Sequence, residues 1–172
     1  MAEMERVKER ERPPLEDNAY ERNLRARAEF AQRNLTGPIV VSPSDRQWVH
    51  ARQGKLLFYL CPVTHKESPL NQWWVFVHEI KAVSGKHVHQ GGLLIYVLEG
   101  KGYSIVDGQR WDWAKGDLVL LPMKPGGVEH QHFNLEPDKG AAKWVAFINL
   151  PIFEHVASEL RQVENSPDFR EG

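Results

Sequence analysis

Residues 84–102, SGKHVHQGGLLIYVLEGKG, set two histidines one residue apart, follow them with two glycines, and run through six apolar residues into a turn. Side chains alternate between the two faces of a β-strand, so His87 and His89 project from one face, about 7 Å apart along the strand. A second pair stands in residues 129–134, EHQHFN, where His130 and His132 also share a face. If the two pairs converge, three neutral imidazoles can grip a divalent ion from one side and leave positions open for substrate or oxygen. His50, His65, His78 and His155 stand alone in their segments, and each reads as a hydrogen-bonded core or surface residue.

Outward from these pairs the chain from Ile39 is a series of short β-type runs: PIVV, KLLFYL, QWWVFVHEI, KHVH, LLIYVL, GYSIV, QRWDW, DLVLLP, EHQHFN and KWVAFINL. Gly100, Gly102, Asp107-Gly108, Lys115-Gly116 and Gly126-Gly127 punctuate them, and such spacing predicts an antiparallel sandwich or barrel over residues 39–151. Residues 1–38 are of another kind. Their first 34 positions carry eight basic and eight acidic side chains, which predicts a charged N-terminal arm leading into a helix. Asn18 is its cap, with Glu21 three residues on, and Tyr20, Leu24, Ala28 and Ala31 recur at helical spacing before Gly37-Pro38 stops it. The apolar stripe is thin, so the helix is expected to lean on the domain or on a second subunit. Residues 152–172 return to helical spacing through Phe153, Val156, Leu160 and Val163, with Pro167 beyond, and predict a C-terminal helix and tail. No internal duplication is visible, so a single barrel is expected.

Composition narrows the function classes. A chain of 172 residues suits one domain. With 22 basic and 23 acidic residues, a net charge of −1 and no long block of either sign, the footprint of a nucleic-acid binder is missing, and a small-molecule substrate is the expected partner. Cys61 is the single cysteine, which fits a reducing interior and a cytoplasmic setting, and it reads as a small buried residue. The start, MAEMERVKER, has no apolar signal region, and LLIYVL is far too short to cross a bilayer, so no membrane partner is expected. A homodimer is expected from the amphipathic arm and from the sheet edges that a small barrel must cover.

Residues 85–100, GKHVHQGGLLIYVLEG, resemble the first cupin motif, and residues 116–134, GDLVLLPMKPGGVEHQHFN, resemble the second. The resemblance implies an all-β fold, a single cupin double-stranded β-helix or jelly-roll barrel. It also implies a metal inside the barrel's mouth on His87, His89 and His130, turns at Gly85 and Gly116, and support of the site by Asn134. Many cupins add a glutamate shortly after the first two histidines. Here Gly91, Gly92, Leu93 and Leu94 occupy that stretch, and Glu99 lies in the next turn. The donor set implied is three histidines without a carboxylate. That favours the Fe(II) enzymes that activate dioxygen over the manganese oxalate-degrading cupins, with zinc, manganese or nickel as alternative metals.

Within the superfamily the motifs are similar to the gentisate and salicylate dioxygenase group, enzymes of aromatic compound degradation. HQHFN matches the end of that group's second motif, and His132 matches a histidine near bound substrate. The group's carboxylate-binding arginine, six residues after the second histidine of the first motif, is Ile95 here. A buried carboxylate left unpaired there costs on the order of several kcal/mol. A neutral phenol, hydroxyketone or diketone is therefore the expected substrate, cleaved at a C–C bond with O2. His132 is assigned as base or hydrogen-bond donor, and strand parity makes Ile95 and Val97 pocket residues alongside Trp74 and Trp113. Glu129 should point away from the metal face, and Asp107-Gly108 reads as a hairpin turn. The competing classes are a metal-dependent isomerase or lyase and a non-catalytic small-ligand-binding cupin.

Overall fold

The computed structural model describes residues 18–157 and 159–170, and the charged arm expected ahead of residue 18 lies outside them. Helix α1 spans Ala19–Thr36. The Asn18 side chain caps it by accepting from the backbone N–H groups of Tyr20 and Glu21, both at 3.0 Å. No residue of α1 is buried, and Tyr20 and Leu24 of its apolar stripe stand exposed.

Among the described residues eleven strands follow, all paired antiparallel: β1 Trp48–Ala51, β2 Gly54–Leu60, β3 Trp73–Ile80, β4 Lys86–His89, β5 Leu93–Glu99, β6 Lys101–Val106, β7 Gln109–Ala114, β8 Leu118–Leu121, β9 Val128–Asn134, β10 Ala142–Asn149 and β11 Arg161–Glu164. They form a six-stranded sheet in the order β1-β2-β3-β10-β5-β8 and a five-stranded sheet in the order β11-β4-β9-β6-β7. This is the cupin-like all-β architecture, with helices at either end. Strict alternation places the core between the sheets: every second residue of β9 and β10 is buried, and Leu56, Phe76, Ile80, Leu93, Ile95, Val128, Trp144 and Ile148 interlock there. Burial of such side chains stabilises by about 1.5–3 kcal/mol each.

Two glycines join the histidine strand to the central sheet. Gly91 and Gly92 have φ of 89° and 72°, and a Cβ on Gly91 would collide with the carbonyl of Pro122, so no side chain fits there. Asp107-Gly108 closes the β6–β7 hairpin with φ of 49° and 79°, the geometry of a two-residue turn that follows the twist of its strands.

Three segments depart from expectation. PIVV is not a strand, because Ile39 and Val40 have no partner and lie exposed. Trp48–Ala51, unmarked by its pattern, is a strand because the Arg52–Gln53 turn folds it onto β2. The helix expected through Phe153, Val156, Leu160 and Val163 stops early: α2 covers Leu150–His155, Ala157 turns left-handed with φ of 49°, and β11 then pairs with β4. The free backbone groups along the β4 edge reward a strand more than a thin stripe rewards a helix. Among the described residues no helix is long and apolar enough to cross a membrane.

Candidate metal centre

Strands β4 and β9 are neighbours, and their register sets His87 opposite His130 and His89 opposite Val128. All three histidines face the interior, with 7 %, 3 % and 1 % of their surface exposed for His87, His89 and His130. One candidate ligand nitrogen from each lies within 4.8 Å of the others. Ring centroids are 4.1 Å apart for His87 and His130, 4.8 Å for His89 and His130, and 5.5 Å for His87 and His89. Among the described residues no carboxylate joins this cluster; Glu99 pairs with Lys143 at 3.0 Å.

Burial, aided by the neighbouring rings of His89, His132 and His78, pushes the His87 pKa down to about 3. Burial alone takes His89 to about 4, and it holds His130 well below the ordinary imidazole range with help from His87 and His89. All three are neutral at pH 7, the form that carries a lone pair for a metal.

The residues fit a divalent cation. The Val128 carbonyl accepts from His130 Nδ1–H at 3.1 Å, which leaves the Nε2 lone pair buried with no hydrogen-bond partner among the described residues. The His87 ring is buried against the Gly85 backbone, and an unpaired polar atom such as His130 Nε2 in such a place calls for a ligand. His89 is arranged differently. Its Nδ1 accepts from the Gly91 N–H at 3.0 Å, so its ring hydrogen sits on Nε2. Holding a cation through Nε2 requires loss of that proton or a turn of the ring.

His132 faces the same space from the next inward position of β9, opposite Ser104 of β6. Its Nδ1 lies 2.7 Å from Ser104 Oγ, and Trp113 Nε1–H donates to that oxygen at 2.9 Å. Tryptophan can only donate, so Ser104 Oγ accepts there and has its hydrogen to give to His132 Nδ1, the arrangement in which the imidazole keeps its own hydrogen on Nε2. Burial first, then the rings of His130, His78 and His89, holds the His132 pKa well below its ordinary value. Such a ring offers a hydrogen-bond donor and has little capacity as a base at neutral pH.

The histidines open onto a cavity of about 350 Å³, within the range of small-ligand sites. Its walls are mostly apolar: Leu56, Phe58, Phe76, Leu93, Trp144 and Ile148 come from the strands, and Phe153 and Leu160 from the C-terminal segment. Trp74 is among the residues that line this cavity. Ile95 and Val97 do point inward but are packed into the core at 1 % exposure, and Trp113 packs with Val97 and Ala142 beneath the site. Parity places a side chain on the inner face; it does not tell wall from core. The four Asn134 contacts are to backbone groups of Ile80, Lys81, Gly140 and Glu136, so it ties loops at the end of β9 and does not touch the histidines.

Several residues of the site carried no signal in isolation. His78 lies on the inner face of β3, edge-on to Trp144 at 4.7 Å, with burial pushing its pKa to about 3. Cys61 lines the cavity. Phe153 stands 5.8 Å from His89 and 6.3 Å from Trp74, and Arg52, Gln53 and Gln162 lie at the rim. His78 could have been found by strand parity once β3 was placed, whereas Cys61 follows a register shift at the end of β2 that reverses the parity set by Leu56 and Phe58. The others depend on the C-terminal segment folding back over the mouth.

Residues 74–148 match the family model for the cupin domain. The acireductone dioxygenase of Aspergillus fumigatus is 32% identical over 69 residues, 37% of this chain and 38% of that protein, so the chain matches little more than a third of the relative's length. Among solved structures, salicylate 1,2-dioxygenase from Pseudoaminobacter salicylatoxidans with gentisate superposes at a TM-score of 0.50, with 14% identity over 81% of this chain and 35% of that one. Streptomyces Pac13, a nucleoside dehydratase, superposes at 0.52, with 12% identity over 76% and 95%. At these identities the structural likenesses show the fold.

Proposed function

We propose that the chain, whose residues 74–148 match the model for the cupin domain, is a non-haem iron dioxygenase of the three-histidine type. In this reading it uses O2 to cleave a C–C bond in a small phenolic, hydroxyketone or diketone substrate. The observation that carries it is the cluster of three buried, neutral histidines, without a carboxylate, at the floor of an apolar cavity. The 32% identity to an acireductone dioxygenase, over a limited stretch, supports the reaction class.

Fe(II) on His87, His89 and His130 would supply positive charge that favours an enolate or phenolate and the electron transfer through which dioxygen reacts with it. The protein's own groups do the rest. His132 Nε2–H donates to a substrate oxygen, and the Trp113–Ser104 chain keeps that hydrogen in place. Trp74, Trp144 and Phe153 exclude water and bracket a planar substrate. Exposed Leu94, Tyr96, Leu118 and Leu120, on the outer face of β5 and β8, suit a homodimer.

The test is metal analysis of protein purified without chelators, followed by oxygen uptake with phenols, hydroxyacetophenones and β-diketones after anaerobic Fe(II) loading. Iron near one per chain with substrate-dependent oxygen consumption is the expected result. Turnover without oxygen on zinc, manganese or nickel would place the protein among isomerases or lyases instead, and tight binding without consumption would make it a ligand-binding module.

A further inference from the structure

We infer that the cavity selects a substrate bearing a carboxylate, and that Arg52 is the residue that recognises it. The inference rests on the reading above for the reacting end of the substrate but not for its own test.

Arg52 lies in the turn between β1 and β2, and it lines the cavity together with its neighbour Gln53. Gln162 of β11 completes this side of the rim: it sits opposite His87 in the β4–β11 register, and its Nε2 lies 3.4 Å from the Arg52 carbonyl. Arg52 is thereby held by its backbone beside the metal-binding strand, with its exposed side chain at the rim of the cavity. It is the only cation among the cavity's lining residues, and no carboxylate is among them. No ion pair among the described residues uses it. Its guanidinium carbon lies 6.0 Å from the centroid of the Phe169 ring.

The charge balance asks for an anion. Three neutral imidazoles leave the full charge of a divalent ion uncompensated, and Arg52 adds another positive charge at the rim of an apolar hollow. A substrate that is neutral apart from its metal-binding oxygen offsets only part of this. One that also carries a carboxylate places it against a planar fork of donors built for that shape, with the Gln53 amide alongside. Ile95 is no objection. The hydrocarbon at that position is packed in the core, away from the cavity wall, so it carries no information about whether a carboxylate is accepted.

The probes are para-hydroxyphenylacetate, para-hydroxyphenylpropionate and acetylpyruvate, each beside its primary amide. Their binding is measured by calorimetry at low salt, on metal-free and on zinc-loaded protein, with recovery of each probe unchanged as the control against turnover. At least one acid is expected to bind more tightly than its amide by about tenfold, as a partly exposed charged hydrogen bond allows. Arg52→Gln removes the preference and leaves amide binding within about twofold, while Arg52→Lys, a point charge without the fork, keeps part of it. The Arg52 carbonyl, which accepts from Ser166 N–H at 2.7 Å, is untouched by either change. In the unaltered protein the preference falls as salt is raised, a readout that needs no variant. The inference is overturned if no acid is preferred over its amide, or if the preference survives Arg52→Gln. Oxygen uptake without an acid preference sinks this inference alone; an acid preference without oxygen uptake sinks the dioxygenase reading alone.

Discussion

His87 and His130 stand directly opposite one another on adjacent antiparallel strands, with ring centroids 4.1 Å apart and no acid between them. Two positively charged imidazoles could not share that space, so the pair stays neutral, and a cation is the partner both lone pairs can share.

Replacing either member therefore removes the metal. His87→Ala and His130→Ala are expected to lose most bound metal, seen as a fall from near one ion per chain to a small fraction by elemental analysis after gel filtration. Full occupancy in either variant would show that the ion sits elsewhere.

The serine at the far end of the site sets the direction of a hydrogen. Ser104→Ala leaves the buried Trp113 N–H without its acceptor, at a cost of about 1–3 kcal/mol in unfolding free energy. It also frees His132 to place its hydrogen on either nitrogen. Nitrogen-15 shifts of the His132 ring are expected to report a single Nε2–H form in the unaltered protein and a mixture in the variant. A single form in both would mean that Ser104 does not govern the tautomer.

Acid should destabilise the metal-free protein steeply. The pKa values of His78, His87 and His89 fall to about 3, 3 and 4 on folding, and those of His130 and His132 also fall. Above the unfolded value near 6.5, both states are neutral and these groups contribute no pH dependence. Below it the unfolded chain takes up protons that the folded chain refuses, so stability declines until pH reaches the folded values. Each histidine adds a slope of up to about 1.4 kcal/mol per pH unit. Denaturant midpoints of metal-free protein between pH 7 and pH 4 test this, and a flat profile would contradict the neutral buried cluster.

Ile95→Arg, which sequence comparison suggests as a way to admit carboxylates, should instead damage the fold. Ile95 is 1 % exposed among Leu93, Leu121 and Ala146 of the core. A guanidinium there has no partner, and the loss is expected to exceed about 3 kcal/mol, read as a large drop in thermal midpoint. A stable variant with new carboxylate affinity would place residue 95 on the cavity wall after all.

How far the chain could be read without coordinates varied with the reach of the interactions. The strands from KLLFYL to KWVAFINL, the Asn18 cap and the Asp107-Gly108 turn were legible because alternation, capping and positive φ are local matters. The convergence of His87, His89 and His130 could be anticipated because two-residue spacing puts each pair on one face, and the family's motifs imply how the pairs meet. The C-terminal stripe misled, since the same apolar spacing suits a short helix followed by an edge strand.

Local pattern thus settled which segments extend, where they turn and which faces are apolar. Only the packed molecule decided which inward residues form wall and which form core, separating Trp74 from Ile95 and Val97. It alone brought Arg52, Phe153 and Gln162 to one rim, because their meeting depends on where α2 and β11 pack across the mouth of the sheets. Contacts between such distant segments depend on sheet order and register, which no short window of residues encodes.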